Sequence, residues 1–177
     1  IYDGEVIRWT PEKNMEIQEK IGADIIMQLD QCTPYPAEKD FVYKAVELSA
    51  NWAKRCLDAH SKKDQALFAI VQGGVFEDLR LKSIDELLKI EQAGKRFDGF
   101  GIGGYDVGEP HKLMFESLGK VCENLPEDRP RYLMGVGNPK TLLRAVDLGV
   151  DMFDCVLPTR TGRMGTALTR HGRMNLR

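Results

Sequence analysis

The chain has 177 residues, 42% of them hydrophobic and 29% charged, with a formal net charge of −2 at pH 7. That composition suits a globular domain able to bury a core, and no apolar run approaches the ~18 residues of a membrane span. A soluble protein with no membrane partner is expected.

The predicted elements alternate. Thr10 as N-cap, Pro11 at the first helical position and Gly22 at the end frame a short helix. A-D-I-I-M-Q-L-D follows as a buried strand ending at Asp30, before the breaker-rich Q-C-T-P-Y-P. Apolar residues spaced by three and four from Asp40 to His60 predict an amphipathic helix. A-L-F-A-I-V-Q-G-G reads as a strand, Asp78 to Ile90 as a helix, and F-D-G-F-G-I-G-G as a glycine-rich strand. A helix over Lys112 to Glu123, the strand R-Y-L-M-G-V-G, a helix capped by Asn138 and begun by Pro139, and a last strand D-M-F-D-C-V-L-P complete the pattern.

Strands separated by crossover helices argue for a parallel α/β architecture. Periodicity leaves open both a doubly wound sheet and part of an eight-stranded (β/α)8 TIM-type barrel. The polar residues favour the barrel, because Asp30, Gln72, Gly103 with Gly104, Gly135 and Asp154 all fall at carboxyl ends of strands. A complete barrel enzyme usually needs about 200 residues or more. With Ile1 in place of an initiator Met and no signal-like start, a segment of a longer chain is expected.

Cys32, Cys56, Cys122 and Cys155 are widely spaced, without a C-x-x-C pair, and only three His accompany them. They read as reduced cytoplasmic thiols, with Cys56 and Cys122 in core packing, and no metal site is expected within the chain. Charge is unevenly placed. Pro158 to Arg177 contains Arg160, Arg163, Arg170, Arg173 and Arg177 with no Asp or Glu, which leaves 20 basic residues against 27 acidic ones before it. This segment is either a solvated basic tail or a local anion site.

Asp30 and Asp154 each sit in an otherwise apolar strand, where an ionised carboxylate must be paired, capped or functional. Two carboxylates at equivalent strand ends suit cleavage at an anomeric carbon, one as nucleophile and the other as proton shuttle. Gln72 can read the polar edge of a heterocycle or serve as a loop hydrogen bond. Gly99, Gly101 and Gly104 spell G-x-G-x-x-G, but they accompany a strand instead of opening a helix. A dinucleotide fingerprint is therefore discounted in favour of close approach by a planar ligand or tight packing.

The segments D-Q-C-T-P-Y-P-A, V-Q-G-G-V-F-E-D-L-R, G-I-G-G-Y-D-V-G-E-P, R-Y-L-M-G-V-G and D-M-F-D-C-V-L-P-T-R-T-G-R-M-G resemble, in order, the motifs of tRNA-guanine transglycosylases, most closely the bacterial type. The resemblance covers essentially the whole chain. It implies that residues 1–177 form the central to C-terminal part of the barrel catalytic domain. It also implies exchange of guanine at the first anticodon position of tRNA for 7-aminomethyl-7-deazaguanine, on the way to queuosine, through a covalent aspartyl-tRNA intermediate. Asp154 matches the nucleophile and Asp30 the base-recognising carboxylate and possible proton shuttle. Cys32, Gln72, Gly103, Gly104 and Tyr105 match the pocket, with Met134 over the ring, and Arg160 and Arg163 match a loop that grips the anticodon backbone.

Two family elements should lie outside the chain: a further aspartate in D-S-G-G-F-Q, before Ile1, and the zinc ligands, after Arg177. The segment alone is expected to be inactive, and the complete protein to be a homodimer. Gln31 stands where bacterial relatives commonly have Glu, and Tyr105-Asp106 where they have Leu-Ala or Leu-Ser. These departures leave a queuine-inserting enzyme as an alternative, with Tyr105 closing the pocket or stacking on a larger base, and Asp106 either facing the 7-substituent or capping the turn. A non-catalytic tRNA-binding partner subunit and an unrelated barrel glycosidase are weaker alternatives. The retained carboxylate pair opposes the first and the arginine-rich end the second.

Overall fold

A computed structural model of the chain describes residues 4, 6, 8–91 and 94–176. Its element order is α1 (Pro11–Ile21), β1 (Ile25–Met27), α2 (Lys39–Ala59), β2 (Ala66–Val71), α3 (Glu77–Ile90), β3 (Gly99–Ile102) and α4 (His111–Asn124). Then follow β4 (Arg131–Leu133), α5 (Pro139–Asp147), β5 (Met152–Phe153), α6 (Leu157–Arg163), β6 (Thr166–Thr169) and β7 (Gly172–Asn175).

The first five strands make one sheet in the order β1-β2-β3-β4-β5, every neighbouring pair parallel. A doubly wound sheet reverses its strand order at a switch point. Here each strand lies beside its sequence neighbour, and the sheet curls into a half-barrel with helices between the strands. The barrel reading of the sequence holds.

Local signals account for the helix ends. Thr10 accepts a hydrogen bond from the Lys13 backbone N–H at 3.2 Å, and Gly22 closes α1 in a left-handed conformation. An N-cap of this kind stabilises by about 1 kcal/mol. Asn138 accepts from the Lys140 N–H at 3.1 Å ahead of Pro139. Along α5, Thr141 and Ala145 are buried, whereas Leu143 and Val146 are exposed.

The strands are shorter than the apolar runs that predict them. Pairing in β1 stops at Met27, three residues before Asp30, and β5 pairs only through Met152 and Phe153. Beyond the fifth strand the chain forms α6 and the antiparallel hairpin β6–β7. Pro158 to Asn175 is therefore folded, with Arg160, Arg163, Arg170 and Arg173 exposed on it.

Alternate strand residues face opposite sides of the sheet. Leu67, Ala69 and Val71 of β2 join Phe100, Ile102 and Leu133 in the main core, which α2, α3 and α4 cover with Ala53, Leu57, Ile84, Leu87, Met114 and Leu118. Cys56 and Cys122 lie in this core as expected, and burial pushes both thiols up to about 11. The opposite face lines the barrel interior with Phe68, Ile70, Gln72, Met134 and the three glycines of β3 and its edge. The Phe68 ring occupies the space beside Gly99, 2.4 Å from where a Cβ would stand. At Gly101 that space belongs to the tips of Met27 and Met134, at 2.7 and 3.1 Å. The glycine-rich strand thus gives room to its neighbours' side chains.

Candidate active site

The interior face carries the polar residues to one end of the sheet. Each sits within three residues of the last paired residue of its strand, where the ladder still sets the backbone direction. Asp30 follows β1, Gln72 follows β2, Gly103 and Gly104 follow β3, Met134 and Gly135 follow β4, and Asp154 follows β5. Carboxyl ends of parallel barrel strands are where such folds assemble chemistry.

Around Gln72 the packing is tight. Its side chain is buried, its backbone N–H donates to Ser83 Oγ at 3.2 Å, and its Nε2 donates to Asp30 Oδ2 at 2.6 Å. Gln72 Oε1 is buried with no hydrogen-bond partner among the described residues. A Cβ on Gly103 would stand 2.7 Å from Gln72 Nε2, and one on Gly104, at φ 68°, would stand 2.5 Å from Oε1. Glycine at 104 is therefore required twice, by the left-handed backbone and by the glutamine across it. Asp30 is half-buried, and burial raises its pKa from the ordinary value although the Gln72 hydrogen bond opposes the rise. Cys32 is exposed beside it, with its thiol raised by burial of the sulfur and by the Asp30 charge.

Asp154 stands in different surroundings. It is exposed, and its Oδ1 accepts from Tyr132 Oη and from the Gly135 backbone N–H, both at 2.7 Å. Both donors converge on one oxygen, and no donor reaches Oδ2 among the described residues. Burial first, and the Asp154 hydrogen bond second, push the Tyr132 phenol up to about 12. Tyr132 is therefore a fixed O–H donor at neutral pH. Two donors hold the carboxylate in one orientation while the second oxygen stays available, the geometry of a positioned nucleophile.

The remaining predicted residues divide. Met134 reaches the interior at Gly101, beside the pocket. Arg160 is exposed on α6 and lines a cleft of about 410 Å³ with Gly135, Gly137, Cys155 and Asp106. Arg163 is exposed at the end of the same helix, so the segment predicted as a gripping loop is helical. Asp106 has a positive φ of 56° and lies 3.6 Å from His111 Nε2. Tyr105 departs most from expectation. Its side chain is 3% exposed, its hydroxyl lies 2.6 Å from Ser117 Oγ, and its ring packs under the Arg80 guanidinium. It neither closes the pocket nor stacks beside a ligand, because an apolar ring gains more from the core beneath the loop than from solvent above it.

Two residues that sequence reasoning passed over support this loop. Glu109, 5% exposed, accepts from the Asp106 and Val107 N–H groups at 2.6 and 3.0 Å. Arg80 is fully buried beneath Gly103 and Gly104. The only available signal was their place in V-F-E-D-L-R and G-E-P, next to residues already singled out. Among the described residues no cluster of three or more His, Cys, Asp or Glu is placed to hold a metal ion, and no helix is long and apolar enough to cross a membrane.

Fold and site together define a parallel α/β half-barrel with a carboxylate at each outer strand end and a glycine-backed polar pocket between. A family profile described as queuine tRNA-ribosyltransferase matches residues 1–177. A protein of that name from Desulforamulus reducens is 53% identical over 175 residues, 99% of this chain and 46% of the relative. Others so named come from Deinococcus radiodurans, 50% identical over 174 residues (98% and 43%), and Bacillus subtilis, 49% identical over 176 (99% and 45%). The chain belongs to the queuine tRNA-ribosyltransferase family, and it spans a little under half the length of these relatives.

Proposed function

We propose that the protein containing this chain is a tRNA-guanine transglycosylase, which replaces guanine at the first anticodon position of tRNA with a 7-deazaguanine base. The observation that carries this reading is the contrast between the two carboxyl groups, one exposed and oriented by two donors on a single oxygen, the other half-buried against the Gln72 amide with its pKa raised by burial. Asp154 Oδ2 attacks the ribose anomeric carbon, the bond to guanine breaks, and an aspartyl-tRNA ester forms. Asp30 supplies the proton that the departing base needs. The incoming base then gives up a proton to Asp30 and displaces Asp154, so two inversions leave the ribose configuration unchanged.

Gln72, Gly103 and Gly104 provide the flat, backbone-lined wall against which a purine-like base fits, with Met134 beside it. Arg160, exposed in the cleft with Cys155, and Arg163, exposed at the end of the same helix, meet tRNA phosphates. The preferred base is 7-aminomethyl-7-deazaguanine. Asp106 borders the cleft with its carboxylate exposed, which favours an amine over a neutral nitrile at the 7-position. Tyr105, turned into the core, gives the queuine-inserting alternative no support. Zinc would be held beyond Arg177, outside the residues described, and the roles given to Asp30 and Asp154 rest on their own geometry. The complete protein is proposed to act as a cytoplasmic homodimer.

The test uses the full-length enzyme, tRNA bearing guanine at the first anticodon position, and labelled guanine. Label should enter the tRNA, and a protein–tRNA adduct should survive denaturing electrophoresis. Failure of label to enter intact tRNA would overturn the proposal.

A further inference from the structure

Arg80 is a guanidinium with no exposed surface and no carboxylate partner among the described residues. Its donors go instead to three backbone carbonyls: Nε to Gly74 at 2.7 Å, Nη1 to Gly103 at 2.9 Å and Nη2 to Gly104 at 3.3 Å. Tyr105 covers its face, with the guanidinium carbon 3.5 Å from the ring centroid, and the Tyr105 hydroxyl is tied to Ser117 on α4. A buried cation is costly unless its hydrogen bonds and a π face replace the lost water. Here all three carbonyls belong to the loops after β2 and β3, which bound the candidate pocket.

We propose that Arg80 is a positioning residue for base recognition: by holding the Gly103 and Gly104 carbonyls toward α3 it aims the opposite edges of those peptides into the pocket. In a trans peptide the N–H points away from the C=O. With the Gly103 and Gly104 carbonyls captured, the N–H groups of Gly104 and Tyr105 are directed away from the guanidinium, and neither donates to a protein group among the described residues. Gln72 packs against Gly104, its buried Oε1 2.5 Å from where a Cβ on that glycine would stand. The pocket therefore presents a fixed pair of donors to one edge of a planar heterocycle. Loss of Arg80 frees both peptides to rotate, and the donors lose their common direction.

Gly73 shows how closely the parts are fitted. Its φ is 147°, and a Cβ there would stand 2.6 Å from Arg80 Cγ and 2.7 Å from the Arg80 backbone nitrogen. Glycine lets α3 begin directly against the end of β2, which brings a residue on the helix's first turn within reach of a loop 23 residues on. Tyr105 then acts as the floor of the arrangement and serves the pocket from below.

This role rests on the transglycosylase reading and is tested in the full-length enzyme with guanine and tRNA as separate ligands. Arg80→Gln should weaken guanine binding and raise the KM for guanine by about tenfold or more, the loss expected when charge-assisted hydrogen bonds are removed. Affinity for tRNA, dominated by interactions with phosphate, should change by less than about twofold. Tyr105→Leu keeps the guanidinium but removes its π face, and should raise the same KM by about threefold or more. It serves as the second variant should Arg80→Gln not fold. A guanine KM within about twofold of the parent's, in whichever of the two variants folds, would overturn the role of Arg80, as would a parallel loss of guanine and tRNA affinity. A parent enzyme that takes up no guanine at all would overturn the transglycosylase reading itself.

Discussion

Asp30 and Asp154 close the two outermost strands of one sheet, and by position alone they are equivalent. Asp30 shares a buried amide with Gln72 and is driven toward its protonated form by desolvation. Asp154 is exposed and receives two hydrogen bonds on the same oxygen. The same functional group is thus desolvated against an amide at one edge and exposed under two donors at the other. Environment, more than residue type, sets the two carboxyl groups apart.

The contrast breaks most sharply at Asp154. Asp154→Asn keeps the two donors' partner oxygen but has no nucleophilic carboxylate, so in the full-length enzyme the tRNA adduct and base exchange should both fall below detection. Denaturing electrophoresis with labelled tRNA reads the adduct, and an undiminished band would remove Asp154 from the nucleophile's place. Asp30→Asn should act on proton transfer and base recognition, lowering exchange by about 10²- to 10⁴-fold while leaving tRNA binding intact. An exchange rate equal to the parent's would make the two carboxylates unequal in a way the geometry does not explain.

Smaller effects sharpen the comparison from the tRNA side. Arg160→Ala and Arg163→Ala should each flatten the salt dependence of tRNA binding, lowering the log–log slope by roughly 0.7 to 0.9 for each phosphate no longer neutralised. An unchanged slope in a salt titration would return these side chains to simple solvation. The smallest effect concerns stability. Because burial raises the folded-state pKa of Asp30 above its unfolded value, the folded chain binds more protons between those two values, and its stability falls as pH rises through that window. Asn at position 30 removes that slope. The Tm difference favouring Asp30→Asn should grow from acid toward neutral pH, and a difference flat with pH would show that Asp30 ionises in the fold as freely as in the unfolded chain.

Much of the half-barrel was legible because its signals are local. Thr10, Pro11 and Gly22 mark both ends of α1, and the three-and-four spacing from Val42 to Leu57 gives α2. Strand ends were harder. The apolar runs continue past Met27, Leu133 and Phe153, and only the partner strand decides where pairing stops. The segment T-A-L-T-R-H-G-R-M-N folds into β6 and β7, yet its arginines and weak apolar alternation read as a basic tail. Arg80 was invisible for a related reason. A charged residue in an amphipathic helix counts as surface, and only the return of Gly103 and Gly104 after another strand supplies the carbonyls that let it be buried. Tyr105 looked like a pocket residue because its neighbours are, although a strand's edge can turn one residue to the ligand and the next to the core.

The consecutive strand order also bears on how such a sheet is built. Every pairing joins a strand to the next one in the chain, and the longest separation between paired residues, Ile25 to Ala66, is about twice the shortest, Tyr132 to Met152. Loop-closure entropy rises by only about 0.6 kcal/mol per doubling of length, so the four parallel pairings carry nearly equal closure costs. No single long-range pairing must form before the others become favourable. A nascent chain can therefore lengthen the sheet by one strand and one helix at a time, in the order in which they leave the ribosome, with each new strand docking on an edge already laid down.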